Sequence, residues 1–86
     1  MNDDVIVYIM NGCIHCENLK LLIDKRNLDV VVKDIDVYTD EYNIISNAIE
    51  TDIIPLIRKG DDIYLPEEDF STIDEAYNLL LTLKNI

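Results

Sequence analysis

One junction constrains this chain more than any other feature. An unbroken apolar run, Val5-Ile6-Val7-Tyr8-Ile9-Met10, passes through Asn11-Gly12 into Cys13-Ile14-His15-Cys16, and an amphipathic stretch from Leu19 to Leu28 follows at once. The apolar run reads as a buried strand over 5–10. The spacing of Leu19, Leu22 and Ile23 predicts a helix over 16–26. A second strand, rich in valine, follows over 29–37. Two strands joined through a helix make a βαβ unit, so they should lie parallel. The cysteines stand three apart at the helix entrance, which puts both sulfurs on one face within bonding reach. A helix start also offers unpaired N–H groups and the positive end of the dipole, and both favour a thiolate. These are the only two cysteines in the chain. The arrangement is a physical device for thiol–disulfide exchange.

The remaining pattern completes a layered fold. Thr39 and Asp40 supply N-cap chemistry for a helix to about residue 50, with Ile44, Ile45, Ala48 and Ile49 expected to face inward. Short strands at 54–59 and 62–65 flank Gly60-Asp61, which reads as a hairpin turn. Thr72-x-x-Glu75 is a capping box opening a last helix, on which Ile73, Ala76, Tyr77, Leu80 and Leu83 follow the 3.6 period. The order is β-α-β-α-β-β-α. A four-stranded mixed sheet with helices on both faces uses every apolar stripe, giving a three-layer α/β/α fold in one domain, 1–86.

Composition narrows the function classes. With 86 residues, 49% of them apolar and only two Gly and two Pro, the chain is suited to one small packed domain. Two cysteines are too few for a secreted disulfide scaffold. The acidic start, Met1-Asn2-Asp3-Asp4, and the six-residue length of the first apolar run predict neither a secretory leader nor a membrane span. A cytoplasmic location is the expectation, without membrane partners. A formal charge of −11 and the lack of a basic run argue against nucleic-acid binding; the acid favours partners with a basic face or, on the plainer reading, simply keeps a small protein in solution.

The order of elements, with Cys-x-x-C at the first strand–helix junction, resembles the thioredoxin fold, and in detail the glutaredoxins, over nearly the whole chain. The matching positions are Tyr8, Cys13-Ile14-His15-Cys16, Ile35-Asp36-Val37 and Ile53-Ile54-Pro55. The resemblance implies a cis-proline at Pro55 facing the cysteine pair, with the backbone of Ile54 binding extended thiol substrates. It implies a monomeric disulfide oxidoreductase and electron carrier with no bound cofactor, acting on protein disulfides. Glutathione is the co-substrate the family suggests. Two departures weaken that expectation. Where the family places a Gly-Gly pair, whose amides hold a glutathione carboxylate, this chain has Leu65-Pro66-Glu67-Glu68-Asp69. Met10 and Asn11 stand where a lysine is common. The pattern leans towards re-reduction by a protein such as thioredoxin reductase, as in the glutaredoxin-like redoxins that serve ribonucleotide reductase. Lys33, Arg58 and Lys59 are the nearest alternatives for holding an anion.

Within this scheme Cys13, nearest solvent, is the nucleophile and Cys16, one turn in, resolves the mixed disulfide. His15 has two readings. A protonated imidazole there would stabilise the thiolate and make the pair more oxidising; otherwise it is an exposed loop residue without electronic effect. The rival to an enzyme is a metal carrier or interaction module, with Cu(I) or Zn on the two sulfurs and His15 as a third ligand.

Overall fold

β1 (Val5–Ile9) is apolar throughout because both of its faces are covered. Successive strand side chains alternate in direction. Val5, Val7 and Ile9 enter one core with Leu19, Ile23, Ile57, Ala76, Leu80 and others, whereas Ile6 and Tyr8 enter a second core with Tyr42 and Leu56. The computed structural model describes residues 4–85. Residues 1–3, part of the acidic start weighed above, lie outside that range.

After β1 come α1 (Ile14–Lys25), β2 (Val31–Asp34), α2 (Thr39–Ile49), β3 (Leu56–Lys59), β4 (Asp62–Tyr64) and α3 (Ile73–Lys84). The four strands form one mixed sheet in the order β2-β1-β3-β4. β1 pairs parallel with β2 and antiparallel with β3, so that Tyr8 lies between Lys33 and Leu56. β3 and β4 form the hairpin around Gly60-Asp61. α1 and α3 pack together over the first core, and α2 covers the second. No helix among the described residues is long and apolar enough to cross a membrane.

Local chemistry explains the helix ends. α1 stops where Asn27 takes φ +50, and the Leu28 N–H reaches back to the Ile23 carbonyl at 3.0 Å. The Arg26 guanidinium lies 5.0 Å from the Tyr77 ring centroid, tying α1 to α3. The capping box of α3 is formed: Thr72 Oγ1 accepts from the Glu75 N–H, and Glu75 accepts from the Thr72 N–H.

Three expectations are corrected. β2 ends at Asp34 rather than 37, because the Asp34 carboxylate accepts from the Asp36 N–H at 2.8 Å and its carbonyl accepts from Val37 and Tyr38, turning the chain. Thr39 and Asp40 do not cap α2. Tyr38 is the N-cap residue without a side-chain bond, and the Thr39 hydroxyl donates backwards to the Ile35 and Asp36 carbonyls. Ile44 is 72% exposed and Ala48 is also exposed; Tyr42, Ile45 and Ile49 take the inward face. The apolar stripe of α2 is wider than its contact with the sheet, and the bulky Tyr42 sets its rotation.

Candidate active site

The site is assembled where β1 ends and α1 begins. Gly12 takes φ +86, a conformation that favours glycine, and a Cβ there would meet nothing within 4 Å, so backbone conformation rather than crowding calls for glycine. The Asn11 amide donates to the Asp34 carboxylate at 3.2 Å, fastening this turn to the end of β2.

Cys13 is the N-cap residue of α1. Its backbone is extended, and its sulfur accepts from the Cys16 N–H at 3.3 Å, in the way a serine or aspartate oxygen would at this position. A sulfur that satisfies a helix-start donor is held where negative charge is favoured. Cys13 is half-buried and both cysteines are free thiols. Cys16 is fully buried, packed with Leu19, Ile57 and Leu80 in the first core. Burial pushes its thiol up to about 12, and hydrogen bonding to the neighbouring Cys13 adds to the effect against a lowering contribution from the Met10 backbone. One sulfur is therefore presented and the other is stored as a protonated thiol.

His15 is exposed, and no hydrogen bond among the described residues links it to either sulfur. It forms one wall of an open groove of about 630 Å³, together with Ile54, Pro55, Pro66, Phe70 and Thr72. Ile54 and Pro55 thus share this groove with His15, and the Ile54–Pro55 peptide is cis. Ile54 also packs against both cores.

The acidic loop closes on itself. The Leu65 N–H donates to the Asp69 carboxylate at 2.8 Å, and the Glu67 N–H donates to the Phe70 carbonyl at 2.7 Å. Pro66 has no N–H, and the Asp69 N–H is spent on the Leu65 carbonyl. The backbone donors at these four positions are absent or already used.

Lys33, Arg58 and Lys59 are engaged elsewhere. Lys33 pairs with Glu41 at 2.9 Å, and Arg58 donates to the Gly60 carbonyl and to the Tyr8 hydroxyl. Lys59 reaches the Leu83 carbonyl at 2.7 Å. The Tyr8 hydroxyl donates to Glu41, so Tyr8, Lys33, Glu41 and Arg58 form one network under α2. Hydrogen bonding from Tyr8 and then Lys33 holds the Glu41 carboxyl below its usual range. Sequence analysis missed this network.

Among the described residues, no three His, Cys, Asp or Glu side chains are grouped to hold a metal ion. The expected third ligand, His15, does not complete a site with the two sulfurs. Searches of protein-family models, curated proteins and solved structures return no match.

Proposed function

We propose that this chain is a thiol–disulfide oxidoreductase of glutaredoxin-like, α/β/α thioredoxin-type fold, acting on protein disulfides as a cytoplasmic monomer. The observation that carries the reading is the asymmetry of the pair: Cys13 caps α1 within reach of solvent, while Cys16 lies buried and keeps its proton. The Cys13 thiolate attacks one sulfur of a substrate disulfide. A Cys13–substrate bond forms, and the other substrate sulfur leaves as a thiolate. Cys16 then attacks the Cys13 sulfur and expels the second substrate sulfur, which takes up the Cys16 proton. The substrate disulfide gains two electrons and the Cys13–Cys16 pair becomes a disulfide.

The reading extends to the electron donor. Glutathione carries negative charge; in the loop from Leu65 to Asp69 the N–H groups of Leu65, Glu67 and Asp69 are spent, Pro66 has none, and three carboxylates stand beside them. Losing two charge-assisted hydrogen bonds costs about 3 kcal/mol, more than a hundredfold in affinity. Re-reduction by a protein reductase, of which thioredoxin reductase is the type, is the better supported route.

Insulin-disulfide reduction tests the chemistry. Cys13→Ser should abolish it, and Cys16→Ser should accumulate a mixed disulfide instead. Faster alkylation of Cys16 than of Cys13 in the native reduced protein would reverse the roles. Thiol titration with DTNB, with and without Cu(I) or Zn, separates this reading from the metal carrier: loss of titratable thiols at one metal equivalent, without insulin reduction, would favour the carrier. Supplying glutathione or thioredoxin reductase as sole reductant decides the donor. Turnover with glutathione at the rate of an ordinary glutaredoxin would sink that part.

A further inference from the structure

The groove beside His15 does not end at the proline loop. A second open groove, of about 570 Å³, shares Ile53, Pro66 and Glu67 with it and continues along Ile49, Ile63 and Leu65 towards the end of α2. Together they make one track that starts at His15, which stands between the two cysteines in the sequence, and passes Ile63 of β4, an edge strand. Ile53 stands at the shared wall and remains 43% exposed; Ile14, beside Cys13, is 66% exposed. The floor is apolar.

The charge along the track has one sign. Glu50, Glu67 and Glu68 line it, and no lysine or arginine does; His15 is the one basic side chain among the lining residues. Two of these glutamates stand where a glutamate is unfavourable. Glu50 takes φ +59 and Glu67 takes φ +72, the left-handed region that glycine and asparagine occupy with least strain. The third residue of this kind is Asn27, the expected type, and it lies away from both grooves. So the strained positions along the track carry carboxylates, and the one elsewhere carries the relaxed residue.

We infer that this track docks an extended segment of alternating apolar and basic residues on the protein whose disulfide the cysteines reduce. Apolar side chains would lie on Ile53, Ile63 and Pro66, and lysines or arginines would face Glu50, Glu67 and Glu68. The inference rests on the thiol–disulfide reading for what happens after docking, but not for docking itself. Electrostatic complementarity of this kind speeds encounter and rejects acidic competitors more than it adds raw affinity, and salt screens it.

The test has two arms. A fluorescein-labelled, cysteine-free peptide of alternating leucine and lysine is titrated with the oxidised protein and followed by anisotropy, beside its glutamate counterpart. The lysine peptide should bind about tenfold or more tighter at low salt, and the gap should close at high salt. Glu50→Asn with Glu67→Asn removes two charges with a residue that accepts left-handed backbone. It should weaken the lysine peptide about tenfold while leaving the melting temperature unchanged or higher. Asp24→Asn with Asp29→Asn makes the same charge change at the far end of α1 and should matter less than twofold. Equal binding of the two peptides, or equal loss in both double variants, would overturn the docking track, the latter showing only attraction to net charge. In the second arm, disulfide peptides flanked by lysine or by glutamate are offered to the reduced protein, and the lysine-flanked one should be reduced about tenfold faster. Selective binding without reduction of either would uphold the track and overturn the oxidoreductase; equal reduction of both would do the opposite.

Discussion

The two faces of the sheet are built differently. Among the described residues, twelve buried ones lie under α1 and α3, Cys16 among them but no charged side chain; under α2 lie three, with a charged network at their margin. The larger core keeps one thiol dry and anchors the helix that presents the other. The smaller core leaves part of the apolar stripe of α2 in solvent and spends hydrogen bonds instead. The cysteine pair lies against the larger core, which buries one of the two sulfurs.

The largest effect should come from deleting core on the first face. Leu80 is fully buried, so Leu80→Ala should cost about 2–5 kcal/mol in chemical denaturation. Ile45, half-buried on the second face, should cost less than half as much when cut to Ala. Equal losses would break the comparison. Glu41→Gln comes next, at about 1–2 kcal/mol, because it removes a charged acceptor from the buried Tyr8 hydroxyl and unpairs Lys33. Its pH dependence has a definite sign. The Glu41 carboxyl is depressed in the fold, so its contribution is present above its ordinary value of 4.5 and is lost as pH falls below it. Glu41→Gln should accordingly flatten the acid limb of stability against pH, and an unaltered limb would remove the network from the account.

The alkaline limb sharpens the other side. Cys16 holds its proton to about 12 when folded, and the unfolded chain releases it near 9.0. Its contribution is therefore present below pH 9 and is lost as pH rises towards 12. Tyr8 and Tyr42, also pushed up by burial, act in the same direction, so the informative quantity is the difference in slope between the natural protein and Cys16→Ala. A steeper decline in the natural protein is expected, and parallel slopes would show that Cys16 is not dry. A smaller effect, about 1 kcal/mol, belongs to Thr72→Ala, which opens the capping box of α3. Thr39→Ala, at the uncapped start of α2, should cost less.

What the amino-acid order determined by itself was whatever depends on near neighbours. The succession of strands and helices, the hairpin at Gly60-Asp61, the capping box at Thr72 and the placing of Cys13 at a helix entrance all follow from periodicity and from side chains meeting backbone within one turn. Tertiary structure decided the rest. Tyr8 and Glu41 are 33 residues apart and Arg58 and Tyr8 are 50 apart, so no local pattern announces their network. The rotation of α2 was set by fitting Tyr42 against Tyr8 and Leu56, which left Ile44 outside although its spacing suited the stripe. Spacing told that two sulfurs share a helical face. Only packing against Leu19, Ile57 and Leu80 decides that one of them is dry, because desolvation is a property of what surrounds a group rather than of its place in the chain.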